Sequence, residues 1–412
     1  MAEEVKAPRP NSNDFQVSNQ DDSARRFVVA TPQRSVCDDN ARALEQAGML
    51  RFLALGTRRG TKGVPLERTR LNPWIGLCIY AGARALGPMR GESLRFHLLP
   101  WFDNWVRRQL RPGDHLISSY GYANSSFDFV RQHGGKTFVD AGNSHIENFW
   151  EILSEEHRIW KCPYPPVSPF WYERAREMLT QVDYVLSPSS YVTRSFLDRG
   201  FKPEQILSNI YPVDLSVFQP AASPRPTNRP LTLISTAILS LRKGTPYLLE
   251  AFRLVRRQIP SARLLLTRIV REDVKPVLER YSDLPIEWAP SLPPRHLAER
   301  LRSADIFVLP SLEEGLVRTA LEAMACGLQV VLTPNTGASD FVRAGWNGEI
   351  VAIRDAVATA NAILLCADRM LTSVGPPRRL IDEQIVSFEH FERRFLQQLT
   401  DAGLAPHGAF CD

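Results

Sequence analysis

Two stretches of the sequence hold residue types that could grip an anionic, hydroxyl-rich ligand. In SLRKGTPYLLEAF, Ser240–Phe252, the pair Arg242-Lys243 stands before Gly244 and a predicted helix. Thr245 is the expected N-cap, and Pro246 suits the first turn. Free N–H groups and the helix dipole make such a turn an anion site, and a diphosphate fits it. An ordinary strand-to-helix loop with solvated basic residues would read the same. In SLEEGLVRTALEAMACG, Ser311–Gly327, three carboxylates (Glu313, Glu314 and Glu322) surround a second predicted helix. Val317, Ala320, Leu321 and Met324 give it one buried stripe, and Gly327 a stop. Glu314 sits ahead of the helix, where the dipole favours a carboxylate, and Glu322 flanks the stripe. Carboxylates can select vicinal sugar hydroxyls. A capping Glu314 and a solvated Glu322 are the plainer alternative, and Glu313 carries no expectation beyond solvation.

The elements that must position these residues follow a regular rhythm. Apolar runs at Leu231–Ser235, Arg263–Thr267, Ile306–Pro310 and Val330–Thr333, with weaker ones at Ile286–Trp288 and Glu349–Ala352, read as strands. Helical patterns alternate with them at Tyr247–Gln258, Val274–Tyr281, Arg295–Ser303, Arg318–Ala325 and Asp355–Cys366. Such alternation predicts a parallel sheet covered on both faces. The first half is looser, with strands expected at Phe27–Ala30, Phe52–Leu55, His115–Ser118, Thr137–Asp140 and Tyr184–Ser187.

The expected organisation is an α/β chain of two doubly wound, Rossmann-like domains facing a cleft. Residues 25–215 form the first domain, 216–230 a linker and 231–386 the second. Residues 387–402 form a helix crossing back to the first domain, with Phe388, Phe391 and Phe395 at helical spacing. Residues 1–24 and 403–412 read as tails, the first as a disordered one without the apolar core of a signal peptide.

Composition bounds the function. A chain of 412 residues with 44% hydrophobic content supports two packed cores. Six cysteines without CxxC spacing argue against a zinc site or disulfide framework, and for a cytoplasmic setting. The net charge of +5 is spread over isolated basic pairs, so no nucleic-acid partner is expected. The longest apolar patch, Trp74–Leu86, is too short to span a bilayer. In LLPWFDNWVRRQLRPG, Leu98, Trp101, Phe102, Trp105 and Leu110 can share one face beside Arg107, Arg108 and Arg111. A buried helix with an arginine-lined edge is the expectation, and peripheral contact with the inner membrane face the alternative.

The run P-S-x-x-E-G-x(5)-L-E-A-M-A-C-G-L-Q-V-V resembles the signature of family 4 nucleotide-sugar glycosyltransferases. The resemblance continues through TPNTGASDFVRAGWNGEIV, RKGTPYLLEAF and SFEHFERRF. It implies the two-domain GT-B fold and a retaining, metal-independent hexosyl transfer without a cofactor. The donor would be a nucleoside-diphosphate sugar. The acceptor would be a glycan, a lipid-linked saccharide or a small molecule, in cell-surface polysaccharide or glycoconjugate biosynthesis. By the same resemblance Glu314 would bind the donor sugar and Glu322 the ribose. Arg242 and Lys243 would neutralise the diphosphate, with N–H groups around Gly315, Leu316 and Val317 also facing it. VDAGNSHIENFWEILSEE resembles one branch of the family, which implies that His145 stands near the reacting sugar; a lone histidine is also a common structural residue. The chain departs from the pattern in three places. ATPQRSVCDDNARAL lacks the glycine-rich first loop, Ala237-Ile238-Leu239 replaces Gly-Arg-Leu, and Thr267-Arg268-Ile269 replaces a glycine cluster. A nucleotide-sugar epimerase on the same scaffold, or a catalytically weak nucleotide-sugar-binding partner, are the competing expectations.

Overall fold

The computed structural model describes residues 26–32, 36–57, 61, 63–78, 81, 94–223, 226, 229–372 and 377–405. The expected tail 1–24 lies outside them, as do parts of Trp74–Leu86 and of the second tail.

Thirteen strands are described. The first seven are β1 (Phe27–Thr31), β2 (Leu50–Leu55), β3 (Thr69–Leu71), β4 (His115–Ser119), β5 (Thr137–Asp140), β6 (Tyr184–Ser187) and β7 (Ile206–Ser208). They form one sheet in the order β3-β2-β1-β4-β5-β6-β7. The other six are β8 (Thr232–Ser235), β9 (Arg263–Thr267), β10 (Ile286–Ala289), β11 (Ile306–Leu309), β12 (Gln329–Leu332) and β13 (Gly348–Ile350). Their order is β10-β9-β8-β11-β12-β13, and every pairing in both sheets is parallel. Strand order reverses between β1 and β4 and again between β8 and β11. In open parallel sheets, ligands bind beyond the carboxyl ends of strands at such reversals.

The central strands are apolar along their whole length because both faces are covered. In β1, Val28 and Ala30 enter one core and Phe27 and Val29 another. Likewise Phe307 and Leu309 of β11 face away from Ile306 and Val308. The two-residue period of a strand thus builds a core on each side of each sheet.

The crossover helix forms as expected, over Phe388–Asp401. Phe391, Phe395, Leu396 and Leu399 pack with Phe27, Val29 and Leu44 of the first domain. Gln398 accepts from the N–H of Ser208 at 2.6 Å and donates to its carbonyl at 2.9 Å. The outgoing and returning crossings touch: the N–H of Val213 donates to the carbonyl of Val386 at 2.9 Å.

The structure differs from the sequence pattern at three places. The edge strands β3 and β7 are too short for a two-residue period to show. The arginine-edged helix runs over Leu99–Arg107 and buries Leu99, Phe102 and Val106. Trp101, expected on that face, is 67% exposed because it lies about 100° round the helix from Phe102. Among the described residues no helix is long and apolar enough to cross a membrane.

Phe395 is 1% exposed at the centre of the crossover contact. Truncating it to alanine should cost about 3–5 kcal/mol of unfolding free energy in urea titration. A cost below about 1 kcal/mol would show that the helix is not part of the first domain's core.

Candidate active site

The loop after β8 carries Arg242 and Lys243 into the helix Thr245–Gln258. Its N-cap is Gly244, with φ 65°, and not Thr245 as the sequence suggested. Thr245 is the first helical residue, and its hydroxyl accepts from the N–H of Ser240 at 3.1 Å. The left-handed backbone and a close contact explain the exchange: a Cβ on Gly244 would lie 1.8 Å from the carbonyl oxygen of Pro310. The basic turn is therefore pressed against the loop after β11, and the N–H of Leu312 donates to the carbonyl of Arg242 at 2.9 Å.

That contact brings the charges together. Arg242 Nη1 lies 2.8 Å from Glu314 Oε1 and 3.3 Å from Glu313 Oε2. Lys243 Nζ pairs with the same Glu314 oxygen. Burial, then the Arg242 charge, pulls the Lys243 pKa well below the ordinary lysine value, while the Glu313 carboxylate opposes them. A second anionic group entering this corner would meet two closely spaced cations now balanced by carboxylates.

Glu313 overturns its sequence reading. It is fully buried and not solvated. Its Oε1 accepts from the N–H of Ser144 at 2.8 Å and its Oε2 from Asn143 Nδ2 at 3.0 Å, both on the other domain.

The helix Arg318–Ala325 was expected to bury one stripe, yet Ala320 to Ala325 are all buried, Glu322 included. The reason is position: the helix is enclosed within the second domain's core beside β11 and β12. Its N-cap is Val317, at φ 62° and ψ 76°. A β-branched residue in that region is a backbone outlier, of the kind that clusters at functional sites. Among the described residues the N–H groups of Gly315, Leu316 and Val317 form no hydrogen bond. Gly327, at φ 90°, ends the helix as expected.

One feature escaped the sequence reading. A cavity of about 210 Å³ opens at the carboxyl ends of β8, β9 and β10, lined among others by Ser235, Thr236, Thr267, Ile269, Leu297 and Thr319. Ser235 is 1% exposed, and neither its hydroxyl nor that of Thr236 has a hydrogen-bond partner among the described residues. Thr319 lies one helical turn before Glu322, so the cavity and that carboxylate share a helix face. The sequence signal was the pair Ser235-Thr236, two hydroxyl residues where the run from Leu231 ends.

His145 stands in the first domain, just after the turn that meets the second. It follows β5 and caps the helix Ile146–Ile159, its Nδ1 accepting from the N–H of Glu147 at 3.3 Å. The ring packs edge-on against Phe196 and Phe201. Burial drives its pKa down to about 4, with the Glu147 carboxylate opposing. The imidazole is thus neutral near pH 7, and an accepting Nδ1 leaves the proton on Nε2. The turn before it meets the second domain directly: a Cβ on Gly315 would lie 2.2 Å from the carbonyl oxygen of Gly142. Ser189 Oγ donates to the carbonyl of Gly315 at 2.7 Å. The structure so joins the His145 turn, Arg242, Lys243 and Glu314 into one contact zone, while Glu322 lies along the adjoining helix.

Two parallel-sheet domains meeting at the carboxyl ends of their strands define a GT-B architecture. The solved structure of sucrose-phosphate synthase from Thermosynechococcus elongatus superposes with a TM-score of 0.66 at 17% identity, over 92% of this chain and 99% of that one. Anabaena HepE in complex with UDP and glucose superposes at 0.60 and 12% identity, over 91% and 99%. Residues 230–369 match the family model described as Glycosyl transferases group 1. A putative colanic acid biosynthesis glycosyltransferase, WcaL of Salmonella typhimurium, is 29% identical over 194 residues, 45% of this chain and 48% of that protein. The chain spans about half the length of the curated relatives it matches.

His145 and His115 both have pKa values lowered from 6.5 to about 4, chiefly by burial. The unfolded chain takes up these protons below about pH 6.5, whereas the native state resists until about pH 4. Their contribution to stability is therefore complete above pH 6.5 and is lost as pH falls toward 4. The expected loss between pH 6.5 and 5 is about 2 kcal/mol per histidine. Urea midpoints at the two pH values check this, and His145→Gln should remove its share of the slope.

Proposed function

We propose that the protein is a retaining glycosyltransferase that moves a hexosyl group from a nucleoside-diphosphate sugar to a glycan or lipid-linked acceptor. Its place would be in polysaccharide or glycoconjugate biosynthesis. The observation that carries this reading is the convergence of Arg242, Lys243 and Glu314 beside the free N–H groups of Gly315 to Val317. The leaving nucleoside diphosphate gains negative charge as its bond to the sugar breaks. Two cations and a helix N-terminus, fixed in place beforehand, stabilise that charge without a metal.

The remaining roles follow from position. The cavity past β8 to β10 receives the base, and the hydroxyls of Ser235 and Thr236 offer it hydrogen bonds. Glu322 takes the ribose hydroxyls, and Glu314 turns from the basic pair to the donor sugar. The neutral His145 donates from Nε2 to a sugar hydroxyl. Contact between the domains excludes water from the donor. The complex of Anabaena HepE with UDP and glucose gives a precedent on this fold for a nucleoside diphosphate beside a sugar.

Glu314→Gln keeps the side-chain shape and should lower transfer at least about a hundredfold. Unchanged turnover would remove Glu314 from the site. Lys243→Ala should weaken nucleoside diphosphate binding about 10- to 100-fold by calorimetry, as loss of a charge-assisted hydrogen bond predicts. Transfer should survive EDTA in full; loss that is restored by added magnesium would overturn the metal-independent reading.

A further inference from the structure

We propose that Glu313 is a positioning residue that couples the grip on the donor to the placement of His145. The proposal rests on the transferase reading above. Glu313 lies next to Glu314 in the chain, yet its carboxylate serves both domains. One oxygen accepts from the backbone N–H of Ser144 at 2.8 Å; the other accepts from Asn143 Nδ2 at 3.0 Å and from Arg242 at 3.3 Å. Its backbone carbonyl takes a further bond from Arg242 at 3.1 Å.

The turn so held leads directly to His145. From within the first domain, the Tyr120 hydroxyl contacts the carbonyl oxygens of Asn143 and Ser144 at 3.0 and 3.2 Å. Ser144 Oγ accepts from Asn148 Nδ2 at 2.9 Å. The outer side of the turn is held by Glu313, across the domain boundary.

A fully buried carboxylate costs several kcal/mol unless its lone pairs are met. At Glu313 the donors come from two domains, so its shell is complete only while the domains are in contact. With the cleft open, Arg242 would be its remaining partner among those named. The residue thus favours the arrangement in which the diphosphate grip and the His145 turn are assembled together. Three donors converge on this carboxylate, and a glutamine offers them a single acceptor oxygen while turning its own NH₂ toward at least one of them. The charge is therefore specifically required.

The test compares the full chain with Glu313→Gln, Asn143→Ala and the double variant. In Glu313→Gln, kcat should fall about 10- to 100-fold from misplacement of the His145 turn. The calorimetric Kd for a nucleoside diphosphate should change less than about threefold, the split that marks a loss confined to the reacting state. Hydrogen exchange of the ligand-free protein should quicken at the amides of residues 143–147 and not in β11. The double variant should be no slower than Glu313→Gln alone. Unchanged kcat, unchanged exchange at 143–147, equal quickening throughout the protein, or additive losses in the double variant would each overturn the proposal. If the wild-type protein neither binds a nucleoside diphosphate nor transfers a sugar, the transferase reading fails. The exchange experiment then decides for Glu313 alone: local quickening supports its hold on the turn, and none refutes it.

Discussion

The structure turns on a small buried charge cluster at the boundary of its two domains. Arg242 and Lys243 bring two positive charges to the open end of the second sheet, and Glu313 and Glu314 answer them from the neighbouring loop. The two buried glutamates depend on these half-buried cations, because an unpaired buried charge is strongly destabilising. Together they fix the two loops that flank the β8/β11 reversal. Gly244 permits the approach, since any side chain there would strike Pro310.

From that cluster the rest of the site is placed by short links. Glu313 reaches the turn before His145, and Gly315 packs against Gly142 with Ser189 on its carbonyl. A second polar link lies further along the boundary. Glu156, fully buried in the first domain, accepts from Tyr247 at 2.8 Å and from Arg354 at 2.7 Å. A third joins Arg318 to Asp39. These three links are polar, and Val36 and Trp160 of the first domain pack beside them against the second domain's cores.

Much of this was legible in the sequence, and the losses have physical causes. The strands could be read because a parallel sheet buries both faces and so writes continuous apolar runs. The motifs around Glu314 and Arg242 could be read because each is local in sequence. Glu313 could not, since its donors Asn143 and Ser144 lie 170 and 169 residues away and its own window looks solvated. Thr245 and Gly244 are both good cap residues, and the choice between them was made by Pro310, on another loop. The single stripe assigned to Arg318–Ala325 failed because a helix enclosed on all sides need not be amphipathic.

The hydrogen bond between Val213 and Val386 has a mechanical meaning. The chain passes between the domains twice, and there the two passages run side by side. A single flexible strand would let one domain swing and twist in any direction relative to the other. Two tethered strands resist twisting and leave bending about one line as the soft motion. Any parting of the domains would then be a near-planar swing that returns Glu313 to the same donors, as a door on two hinges meets the same latch.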